Sequence, residues 1–217
     1  MITFNYAAQQ LTSIWRLAFT FSEQSDGGPT NEDWRNSLDR SVDGVFKSLW
    51  AILFAAPFAL LTFIALRRAA NNIDEIETTP LLEAPLGLML GVEFLSYVVD
   101  WGISIALIIF IARTLNITKT ITDTIITYNW AQVYAAGFQS IPIAMMGLMG
   151  TSAIAGLLAI PILIVVLIIF WNVFRQAMGL NAGMTIAMIV LLTLVNVIVN
   201  SLIAGTANIM LQGPAAG

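Results

Sequence analysis

A chain of 217 residues with 58% hydrophobic and only 10% charged side chains is not an ordinary soluble domain, because so much apolar surface calls for lipid rather than water around it. The absence of Cys and His excludes disulfide frameworks, thiol nucleophiles, Ser-His triads, His-ligated haem and nearly every zinc site, so no cofactor and no metal is expected. Nine Lys/Arg against thirteen Asp/Glu, a net charge of −4 and no basic cluster argue against a nucleic-acid partner.

Residues 1–45 read as an N-terminal cytoplasmic or interfacial region of amphipathic helices. Leu11, Ile14, Trp15, Ala18 and Phe21 recur at helical spacing, which predicts a helix that either lies along the membrane interface or packs on the rest of the protein. This stretch lacks a cationic start and carries Arg16 within its apolar run, so it does not read as a signal peptide. After the loop SEQSDGGP, Thr30 can cap a second helix, with Asp33 three residues on. Arg35/Asp39 and Asp43/Lys47 are opposite charges four apart on its solvated face. Trp34, Leu38, Val42, Val45 and Leu49 form its apolar face, and the helix is expected to run straight into the first span.

Residues 46–217 read as an all-α polytopic transmembrane helical bundle of five spans, each needing about 20 apolar residues. The runs are 48–66, 85–112, 125–149, 154–173 and 183–204. The third is interrupted by Asn129, Gln132, Gln139, Ser140 and Pro142, and is either a full or a re-entrant crossing. The fourth and fifth, joined by MGLNAG, are expected to form an antiparallel hairpin. Pro57, Pro142 and Pro161 fall inside spans, which membrane helices tolerate as kinks. With five spans and a cytoplasmic N-terminus, seven of the nine basic residues fall inside and only Arg67 and Arg68 outside, beside acidic Asp74, Glu75, Glu77 and Glu83. This predicts an integral protein of a bacterial cytoplasmic membrane, N-terminus in and C-terminus out.

The second span carries Glu93 and Asp100, seven residues apart and so on one helical face, with Tyr97 between them. A central charged Asp costs about 2.5–3.5 kcal/mol, whereas some fifteen Leu, Ile, Val and Phe in this run return about 6 kcal/mol, so insertion survives. Intramembrane acids point to cation binding or proton relay. The alternative is a carboxyl turned into the bundle, protonated or hydrogen-bonded to Asn, Gln or Tyr on a neighbouring helix. Asn129, Gln132 and Gln139 share one face of the third span, and Thr193, Asn196 and Asn200 one face of the fifth. Such amides either glue helices together or line a solute path. Gly87 with Gly91 forms a GxxxG, and Ser201 with Gly205 a weaker small-residue pair.

Enzyme readings find little support. Without His, a membrane Ser lacks a base, and the two acids share one span where an aspartyl protease needs them on two. Asp43-Gly44 matches only the start of a phospholipid phosphotransferase motif, and the sequon at Asn116-Ile117-Thr118 falls on the cytoplasmic side.

The span ending at Trp171, the turn Asn172-Val173-Phe174-Arg175-Gln176-Ala177-Met178-Gly179-Leu180-Asn181 and the Val/Leu-rich span after it resemble the end of the Yip family, five-span proteins named for interacting with Ypt/Rab GTPases. Ile121 to Pro142 is similar to the family's preceding span, with an aromatic residue and a Pro in like places, so the resemblance covers roughly 121–204. It implies a cytoplasmic N-terminal region, five spans, an outside C-terminus and no catalytic residues. Glu93 and Asp100 fall on no family motif. The reading favoured by the sequence is a non-enzymatic accessory or scaffold subunit of a membrane assembly, or a membrane-organising protein, with lipids and other membrane-protein subunits as partners. The rival is a small channel or transporter using the acids of the second span.

Overall fold

The computed structural model describes residues 3–19, 33–73, 78–150 and 152–212. Phe21, the 22–29 loop, the Thr30 cap and acidic Asp74, Glu75 and Glu77 lie outside these residues. Among the described residues every regular element is helical. The N-terminal layer comprises α1 (Phe4–Phe19), α2 (Asp33–Asn36) and α3 (Val42–Ser48); then come α4 (Ala51–Asn72), α5 (Pro80–Glu83), α6 (Leu86–Thr114), α7 (Ile121–Met149), α8 (Ser152–Asn172) and α9 (Ala182–Gln212).

Four helical stretches are long and apolar enough to cross a membrane: Val42–Asn72, Leu86–Thr114, Ser152–Ala177 and Ala182–Gln212. Their outward faces are carbon. Leu157 and Ile160 on α8, Leu202 and Met210 on α9 and Phe110 on α6 are all exposed, a continuous apolar surface that water would not tolerate.

The fifth long helix, α7, is polar for a different reason. All nine residues from Asp123 to Ala131 are buried, so the helix touches protein on every side and its Asn and Thr side chains meet partners rather than lipid. It is continuous for 29 residues, about 43 Å at 1.5 Å per residue, and so is not a re-entrant hairpin. It runs parallel to α4, with Asn129 beside Ser48, Gly137 beside Phe58 and Gly147 against Ala65. Gly150, left-handed at φ 65°, ends it and turns the chain back into α8.

Two groups of helices result. One is the triad in which α7 packs on α4 and α8; the other pairs α6 with α9. The expected hairpin of the last two spans is therefore loose. Polar contacts explain why α9 prefers α6: Ser96 donates to Asn200 at 2.6 Å, and Asn196 donates to Asp100 at 2.9 Å.

The N-terminal layer packs on the bundle. The face of α1 that is buried consists of Ala7, Gln10, Ser13, Ile14, Leu17 and Ala18, whereas Trp15 is exposed and leans on Phe19 and Tyr134. The end carbonyls of α1 lack intrahelical partners, and side-chain amides supply them: Asn172 donates to Ala18 O at 2.9 Å and Gln176 to Leu17 O at 3.3 Å. The second predicted helix does not run straight into the first span. It breaks between α2 and α3, where Ser41 caps α3 by accepting from the Gly44 N–H. Asp43 and Lys47 pair at 2.5 Å as expected, but Asp39 turns to Ser41 and Lys47. Arg35 instead donates to Gln176 O at 2.7 Å, and Arg40 to Asp123 at 2.6 Å, which ties α2 and the loop after it to the start of α7.

Candidate functional site

Where the α6/α9 pair meets the α4/α7/α8 triad, the helices leave a cavity of about 330 Å³, within the size range of small-molecule sites. From the second span it is lined by Glu93, Tyr97 and Asp100, from α7 by Gln132 and Gln139, and from α9 by Thr193, Asn196 and Asn200. Six of the seven residues singled out in the sequence thus face one space: Glu93, Tyr97, Asp100, Gln132, Asn196 and Asn200.

Asn129 does not face it. Although it shares a helical face with Gln132 in the sequence pattern, it is fully buried, accepting from the Trp101 indole at 2.7 Å and donating to Ser48 at 2.8 Å. It joins α3, α6 and α7, the structural role that interhelical amides commonly take.

The polar centre of the cavity is Asp100, only 8% exposed. One carboxylate oxygen accepts from Asn196, while the other and the Tyr97 hydroxyl are buried with no hydrogen-bond partner. Among the described residues no Lys or Arg lines the cavity. A buried carboxyl with one neutral donor is satisfied in one of two ways, by a proton on the acid itself or by one positive group taken into the cavity. Glu93 stands seven residues earlier, about 10.5 Å along the helix, and cannot share one small ion with Asp100. Among the described residues no group of three acids gathers as a divalent metal would require.

The remaining wall is part aromatic, with Phe63, Trp101, Tyr128, Phe170 and Phe174 joining Tyr97, and part aliphatic, with Leu163, Val166, Leu167, Ile189 and Leu192. Tyr97 and Trp101 meet edge to face at 5.6 Å, and Tyr128 leans on Phe170 at 5.7 Å. The sequence reading missed this wall. Its signal was present as two aromatic pairs at four-residue spacing, Tyr97/Trp101 and Phe170/Phe174, but spacing within one helix does not say that two helices turn their rings towards the same space.

A second polar cluster lies in the N-terminal layer. The Ser41 hydroxyl donates to Asp39 at 2.6 Å and, with Lys47, holds that carboxyl below the usual range. Burial, then the Asp39 charge, pushes the nearby Tyr6 hydroxyl up to about 12. In this cluster the Lys47 ammonium also lies 5.3 Å from the Tyr6 ring centre, joining α1 to α3.

Comparison with protein-family models, with curated proteins and with solved structures gives no match.

Proposed function

We propose that this chain is a five-span, non-enzymatic membrane protein that binds a small organic cation in the cavity between its two helix groups, as a carrier or channel does. The observation that carries the reading is the unpartnered Asp100 oxygen inside a partly aromatic cavity with no basic residue among the described ones. Organic ammonium groups are recognised by this combination: a carboxylate for the charge, and ring faces for a weakly hydrated cation that needs no oxygen cage.

The five-crossing topology is supported by α7 running beside α3 and α4 from Asn129 to Gly147, and by the likeness of 121–204 to the Yip family. It gathers Arg16, Arg35, Arg40, Lys47, Arg113, Lys119 and Arg175 at the end that carries α1–α3, and leaves Arg67 and Arg68 at the other. The positive-inside bias then puts the N-terminal layer in the cytoplasm of a bacterial cell.

The test is titration of the nanodisc-embedded protein with tetramethylammonium, with flux in liposomes as a second readout. Wild type binds one equivalent, and Asp100→Asn weakens binding at least 30-fold, since removing one partner of a buried charge pair costs about 2 kcal/mol or more. Equal binding by both proteins, or none by either, overturns the reading.

A second reading, the accessory or scaffold subunit, is supported by the exposed apolar side chains of the N-terminal layer, above all Phe4 and Val42. Purification in mild detergent as a defined larger complex, with no cation binding by wild type, would favour it.

A further inference from the structure

The cation site leaves one neighbouring space without a role. Between α4 and α6 lies a groove of about 290 Å³, lined by Ala59, Leu60, Gly91 and Phe94 together with Phe63 and Tyr97. Among the described residues no carboxylate or basic side chain lines it, and its lining residues Leu60 and Phe94 are exposed, on the apolar surface that lipid covers. Phe63 and Tyr97 line the seam cavity as well, so the two spaces adjoin at these two rings. Asp100, with one carboxyl oxygen unpartnered, lies on the seam side of them, and a slot of carbon on the other.

We infer that the ligand is an amphiphilic ammonium compound, with its headgroup at Asp100 and an apolar chain passing Phe63 and Tyr97 into the α4–α6 groove. This rests on the cation reading of the seam cavity and adds the second chamber to it. A simple inorganic cation would make no contact with the groove. A neutral lipid chain would fill the groove but leave the carboxylate unpaired. Only a molecule with one cationic and one apolar end meets both, and the opening between α4 and α6 faces the phase in which such molecules concentrate. Each methylene that the groove buries should raise affinity about fourfold over water.

The experiment compares tetramethylammonium with n-octyltrimethylammonium on the full chain in nanodiscs, after subtraction of partition into empty nanodiscs. Wild type should bind the octyl compound at least tenfold more tightly. Gly91→Leu should abolish that gain and leave tetramethylammonium affinity unchanged, because a side chain added at Gly91 meets nothing within 4 Å and grows into the groove. Ala59→Leu fills the same groove from α4 and should act alike. An octyl gain that survives both substitutions, or equal affinity for the two probes in wild type, overturns the inference while leaving the cation reading standing. Absence of binding by either probe overturns both.

Discussion

Asp100 and Asn129 show how side chains of similar polarity come to different ends. Asn129 has partners on two other elements, so its role is cohesive: Asn129→Leu leaves the Trp101 indole without its acceptor and should lower stability by about 1–2 kcal/mol, read as an earlier unfolding midpoint in denaturing detergent. Asp100 also bonds across helices, to Asn196 on α9, but it keeps a second oxygen without a partner. Asp39 gives a pH signature. Its folded carboxyl titrates below the ordinary value, so its contribution is complete above that value and is lost as pH falls through the lowered one. Acidification should therefore loosen the α1/α3 contact, and Asp39→Asn should flatten this acid response, as followed by hydrogen exchange in α1.

At the scale of elements, α7 is the helix on which the others depend. Its Gly147 lies so close to α4 that an added Cβ would stand 2.6 Å from the Ala65 carbonyl oxygen. That oxygen belongs to a helix backbone and cannot yield as a flexible side chain would. Gly147→Val should destabilise by about 1–3 kcal/mol through overpacking, visible as a lower thermal midpoint, whereas the same change at half-buried Gly205, where nothing lies within 4 Å, should not. The break between α2 and α3 teaches a related lesson. The apolar spacing of Trp34, Leu38, Val42, Val45 and Leu49 reads as one helix, yet Trp34 and Leu38 are buried while Val42 and Leu49 are exposed. Ser41, which prefers to cap a helix start, ends the continuity.

For the whole molecule, the proposed topology is open to a direct assay because the chain has no native cysteine. Single substitutions Ser41→Cys and Gln212→Cys should be labelled from opposite faces of sealed vesicles by an impermeant maleimide, Ser41→Cys from the cytoplasmic face. Labelling of both from one face would mean that α7 does not complete a crossing.

The sequence by itself determined that the chain is helical with apolar runs suited to lipid, because composition and run length are additive properties that need no knowledge of neighbours. It also placed Glu93, Tyr97 and Asp100 on one face, since helical periodicity fixes directions within an element. Only the tertiary structure decided what those faces meet. It separated Asn129 from Gln132, gave the polar third run a buried central position, paired α9 with α6 and brought six aromatic residues to the cavity that Asp100 lines. Each of these depends on how helices pack and rotate against one another, and that rotation is set by contacts between residues far apart in the chain.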